Sequence, residues 1–148
     1  MQEQFVNYEI ALALKELGFN EQCLACYTPH LGKGIFELIG KGFSNEGSAF
    51  NERFVKAHAV NGCSAPLYQQ VIDWFIKEHD LTISIFKWSV KYYLNDELQT
   101  PRFLFDIDTY GDYSDDWVYQ SINDDLKYES YHEAMEQSIL KTISSGQV

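Results

Sequence analysis

The chain has 148 residues and a net charge of −11, with hydrophobic residues at 45% and aromatics at 16%. That length and apolar content suffice for a buried core and exclude a disordered acidic tail, while three cysteines, an odd number, argue against a disulfide framework. A field this acidic repels phosphates and anionic lipid, so direct binding to nucleic acid or a membrane surface is disfavoured.

The charge is unevenly placed. From Asp96 to Glu136 twelve acids face only Arg102 and Lys127, whereas residues 1–95 hold ten acids against eight bases. No apolar run approaches the roughly 20 residues that span a bilayer. The start, MQEQFVNYEI, lacks the basic and apolar regions of a signal peptide. The expectation is a soluble, cytoplasmic protein.

Tyr8 to Leu17 reads as the first helix, with Asn7 as its cap, Glu9 in the first turn and Gly18 as the left-handed stop. CLACYT, residues 23–28, is short, apolar and bounded by Pro29, and predicts a strand. Residues 30–63 hold six of the nine glycines and read as a loop-rich insertion or hairpin, with one strand at Ile35 to Ile39. Ser64 to Glu78, SAPLYQQVIDWFIKE, predicts a helix capped by Ser64, with Pro66 in its first turn and Leu67, Val71, Trp74 and Phe75 on its apolar face.

LTISIFKW then alternates with period two, Leu81, Ile83 and Ile85 against Thr82 and Ser84. VKYYL and RFLFDID predict two more strands, joined around Asn95 to Pro101, and the three together suggest an antiparallel meander. Asp115 to Leu126 is ambiguous between a loop and a short helix. A last helix runs from about Tyr131 to Ile143, opened by a Ser130–Glu133 capping box, with Tyr131, Met135 and Ile139 facing inward. The predicted architecture is a single α+β domain over residues 1–148, an antiparallel sheet of three to five strands with about three helices packed on it.

Four blocks, YEIALALKELGF, CSAPLYQQVIDWF, HDLTISI and YHEAMEQSILKTI, occur in that order. Together they resemble an uncharacterised family of small proteins encoded by gut Bacteroidetes, their prophages and their phages. The blocks cover about a third of the chain, and the segment from His30 to Asn61 is fuller than in that family's short members. The resemblance implies an intracellular, mobile-element setting and an α+β fold. It brings no catalytic residues with it.

DIDTYGDYSDDW, residues 106–117, sets five aspartates around one glycine. As a calcium loop, Asp106, Asp108, Gly111 and Ser114 would fall at the first, third, sixth and ninth positions. Tyr110 stands at the fifth, and Trp117 at the twelfth, where a bidentate glutamate belongs. A solvated turn outweighs calcium. Within it, Tyr110, Tyr113 and Trp117 sit among Asp106, Asp108, Asp112, Asp115 and Asp116, a pattern that suits docking to a partner protein.

Cys23, Cys26 and His30 make C-x2-C-x3-H, with His58 and Cys63 as further candidate ligands for zinc. A strand would send the two thiols of C-x2-C to opposite faces, so buried, inert cysteines outweigh a metal site. HEAME at 132–136 lacks the second histidine of a zinc-protease helix, GIFELIGK is not a phosphate loop, and no nucleophile elbow is present. The expected function is non-catalytic, without a cofactor: an acidic protein-binding module or inhibitor for a host or phage protein with a basic surface. One form of this is a DNA mimic. The alternative is a small enzyme or metal-dependent protein built on the cysteine and histidine group.

Overall fold

The structure is a computed structural model that describes residues 2–30, 33–39, 62–88, 93–94, 97–98, 102–109, 117–121 and 128–146. The described residues form an α+β fold of three α-helices and two three-stranded antiparallel sheets, with one further two-residue hairpin. The chain divides into two compact units, Met1–Trp74 and Phe75–Val148. Among the described residues no helix is long and apolar enough to cross a membrane.

In the first unit, helix α1 spans Tyr8–Glu16. The Asn7 side chain accepts the Ile10 N–H at 3.0 Å, satisfying one of the donors a helix start leaves open. At the other end Gly18 takes φ +95°, and the Gly18 and Phe19 N–H groups donate back to the carbonyls of Lys15 and Leu14. That pair of bonds is a Schellman stop, and it needs a residue without Cβ penalty at Gly18. Ile10, Ala11 and Leu14 are buried, and α1 packs on the sheet through the strand at Cys63–Ala65.

That sheet has the order β2-β1-β3, with β1 at Ala25–His30, β2 at Lys33–Leu38 and β3 at Cys63–Ala65. β1 runs through Pro29, the expected boundary of the strand. The register explains why a proline fits there. The Ile39 N–H donates to the Leu24 carbonyl, so the residues of β1 that bond to β2 are those at even steps from Leu24, and Pro29 points its missing N–H the other way. β3 has already ended on that side, since it pairs only with Ala25, Cys26 and Tyr27. Of the expected insertion, residues 31–32 and 40–61 lie outside the described residues.

The Tyr27 hydroxyl donates to the Val6 carbonyl at 2.8 Å, and Tyr27 meets Tyr8 and Phe36 edge to face. The Tyr8 ring lies so close to Gly34 that a Cβ at that position would overlap it. Gly34→Val is therefore expected to cost about 1–3 kcal/mol through overpacking, measured by urea unfolding. A neutral result would contradict this packing of Tyr8 on β2.

Helix α2 spans Tyr68–His79, not Ser64 onward. Cys63, Ser64 and Ala65 are instead a buried strand held by β1, and Ser64 caps nothing. The start is fixed by Gln70, whose side-chain oxygen accepts the Leu67 N–H at 3.0 Å, the returning arm of a capping box without its serine. Trp74 is 5% exposed and meets Phe19 edge to face at 5.4 Å.

In the second unit β4 (Leu81–Trp88), β7 (Arg102–Thr109) and β8 (Trp117–Gln120) form a sheet of order β4-β7-β8. The short strands β5 (Tyr93–Leu94) and β6 (Glu97–Leu98) pair with each other. The meander is thus β4, β7 and β8, and VKYYL does not supply its middle strand. β4 occupies one side of β7 over all eight residues, from Leu81 opposite Thr109 to Trp88 opposite Arg102, and β8 takes the other. The ambiguous segment after Asp115 proves to contain strand β8.

Helix α3 spans Tyr131–Ser144 and packs on β4 and β7. The Ser130 hydroxyl accepts the Glu133 N–H at 3.1 Å, but Glu133 answers to the Glu129 N–H, one residue before the expected partner. Its buried face is Ala134, Ser138, Ile139 and Thr142. Tyr131, expected inside, is exposed and meets the Phe103 ring edge to face, and Met135 is half-buried. Small side chains at four-residue steps let the helix approach the sheet. Their hydroxyls are satisfied within the helix, Ser138 donating to the Met135 carbonyl and Thr142 to that of Ser138.

Candidate functional site

The acidic stretch begins inside the sheet. Phe103, Phe105, Ile107 and Thr109 alternate with Arg102, Leu104, Asp106 and Asp108 along β7, so the two aspartates share a face. The opposite face carries Phe105, buried between Tyr119 and Tyr128, and Lys141 of α3 stands over the Tyr119 ring at 4.2 Å. α3 therefore covers the Phe105 side, and the aspartates lie on the other.

Register places their neighbours. Asp106 stands between Ser84 of β4 and Gln120 of β8, and Asp108 between Thr82 and Trp117. The pairing slips between Ile107 and Asp108, where β8 skips Val118, a bulge at the edge of the sheet. The ladder ends at Ser121, whose buried hydroxyl accepts the Phe105 N–H at 2.9 Å.

The two carboxylates differ. Asp108 accepts the N–H of Thr109 at 2.8 Å. Asp106 is half-buried, and its Oδ1 is buried without a hydrogen-bond partner among the described residues. Burial, helped by the negative charge of Asp108, pushes the Asp106 carboxyl above the usual carboxylate range. An acid with a raised native pKa binds its proton more tightly when folded, so it favours the native state at low pH. That advantage is lost as pH rises through the raised value. Asp106→Asn is accordingly expected to raise Tm near neutral pH, with the gain vanishing below the ordinary carboxylate value of about 4. A lower Tm for the variant at neutral pH, or a difference that ignores pH, would contradict the assignment.

Of the other residues expected at this site, Tyr110, Asp112, Tyr113, Asp115 and Asp116 lie outside the described residues. Trp117, expected in a loop, opens strand β8. Asp106 and Asp108 thus belong to strand β7 and not to a turn, on the face they share with Leu104, which is buried. Nothing in local composition marks Thr82, Ser84 or Gln120 as their neighbours. Only the pairing register does.

The cysteine group is arranged differently. Cys26 stands opposite Ser64 and Cys63 opposite Tyr27, so Cys26 and Cys63 project to opposite faces of their sheet. His30 ends β1 opposite Lys33. Cys23 and Cys63 are buried, and burial pushes both thiols up to about 12, while Cys26 is also raised. Lys15, whose ammonium donates to the Gly62 carbonyl at 2.7 Å, opposes the effect at Cys63 but does not overcome it. Protonated thiols are weak nucleophiles and poor metal ligands. All three are free, and among the described residues no group of three or more His, Cys, Asp or Glu is arranged to hold a metal ion.

No family model, curated protein or solved structure matches the chain. Chemistry has to be read from the geometry itself, and the acidic face of β7 is the stronger candidate. Its carboxylates flank hydroxyl and amide side chains in a row along three paired strands. Such a row can accept hydrogen bonds from ammonium or guanidinium groups.

Proposed function

We propose that the protein is a non-catalytic, cytoplasmic binding module that docks a partner protein's basic surface on the face of Asp106 and Asp108 and the acidic segment that follows. The observation that carries this reading is the Asp106 carboxylate, held half-buried with Oδ1 unpaired among the described residues. A buried acceptor without a donor is costly, and a partner's cation set against the half-buried carboxylate would offset that cost through its charge. Asp108 beside it and the aspartates at 112, 115 and 116 extend the same charge. The resemblance to phage-encoded and prophage-encoded proteins supports an inhibitor in a mobile-element setting, acting on a host or phage protein. In the sharpest version the carboxylates imitate phosphates and occupy a nucleic-acid groove of the partner.

Affinity capture from host lysate, followed by elution with duplex DNA, tests this. The expected result is a basic protein whose retention falls as salt rises and which duplex DNA displaces. Retention that ignores salt would overturn the electrostatic reading, and failure of DNA to displace a salt-sensitive partner would overturn the DNA-mimic version.

A further inference from the structure

Strand β2 lies at the edge of its sheet, and among the described residues no strand pairs with its outer side. Natural edges of this kind are normally blunted by proline, a bulge or a charge at the centre. β2 has no proline and no bulge, and its charges, Lys33 and Glu37, flank an apolar centre; it exposes Ile35 at 46% and Leu38 at 52%, with Leu24 of the neighbouring segment at 61%. Residues 33–39 carry one base, Lys33, against one acid, Glu37, so the segment is neutral in a chain of net charge −11.

We propose that this edge pairs antiparallel with β2 of a second copy of the chain, about a two-fold axis at Ile35. The backbone is in phase for it. Ile39 bonds to Leu24, so Lys33, Ile35 and Glu37 also turn their polar groups toward β1, leaving those of Gly34, Phe36 and Leu38 at the outer edge. An axis at Ile35 sets Gly34 of each copy opposite Phe36 of the other, and both have edge groups to exchange. It also sets Ile35 opposite Ile35 as a non-hydrogen-bonded pair, in which side chains come closest. Lys33 of each copy then falls opposite Glu37 of the other, an opposite-charge cross-strand pair made twice. A slip of the axis by one residue would set Ile35 against Glu37 and lose both charge pairs. An acidic chain repels its own copies, and a neutral, apolar, self-complementary strand lowers that repulsion locally.

Sedimentation velocity on the full chain, from about 1 to about 200 μM, tests the proposal. The expected result is a dimer that dissociates on dilution. Ile35→Lys places like charges opposite each other at the axis and should abolish the dimer. Glu37→Lys should weaken it about tenfold, although it lowers net charge and would favour any non-specific association. Lys33→Glu combined with Glu37→Lys restores both pairs and should recover wild-type dimerisation. Ile35 and Glu37 are exposed, so circular-dichroism melts of Ile35→Lys and Glu37→Lys should match wild type. A monomer at every concentration, a dimer indifferent to Glu37→Lys, or a charge swap that fails to restore it would each overturn the proposal.

Discussion

Trp74→Ala is expected to lower stability by about 3–5 kcal/mol. The indole is almost fully buried, and its edge-to-face contact with Phe19 couples α2 to the residue that closes the Schellman stop of α1. Truncation removes a large buried surface and leaves a cavity beside Phe19, whose backbone is pinned by its bond to Leu14 and cannot collapse into it. The loss would consume much of the roughly 5–15 kcal/mol available to a domain. Urea unfolding checks it, and a change below about 1 kcal/mol would contradict the packing of α2 in the first unit.

Phe105→Ala should cost a comparable amount, about 3–5 kcal/mol, in the second unit. Its ring is held at 5.5 Å from Tyr119 and at 5.7 Å from Tyr128, nearly parallel to the latter, and its N–H is bonded to Ser121. These contacts tie β7 to β8 and to the residues that lead into α3. The variant should therefore lose near-ultraviolet circular dichroism of the tyrosines along with stability. A stable variant with unchanged aromatic signals would mean that Phe105 does not organise this sheet.

The legible parts of the fold are those whose determinants are local. Asn7 and Gly18 bracket α1 by their own backbone chemistry, and the alternation in LTISIFKW and RFLFDID marks two strands before any partner is known. The parts misread are settled by distant residues. Ser64 and Pro66 carry helix-start signals, but pairing of Cys63 to Ala65 with β1 outweighs them. The inner face of α3 escapes an apolar reading because it is built from Ala134, Ser138 and Thr142, and the Ser138 and Thr142 hydroxyls bond to their own helix. Strand β8, four residues long, is too short to announce itself and exists through its pairing with β7. At the candidate site, the aspartates were visible as composition. The burial of Asp106 Oδ1 was not, because it depends on the register that sets Ser84 and Gln120 on either side.

The charge of this face and of the acidic segment that follows it in sequence can be tested directly by comparing capture of the basic partner by wild type and by two variants across a range of salt. One variant carries Asp106→Asn and Asp108→Asn, the other Asp112→Asn, Asp115→Asn and Asp116→Asn. Both relieve repulsion among carboxylates and should fold at least as well as wild type. Expected is a loss of about tenfold or more in capture at low salt for each, with the gap closing as salt screens the pairing. Undiminished capture by both well-folded variants at low salt would contradict docking through this acidic face.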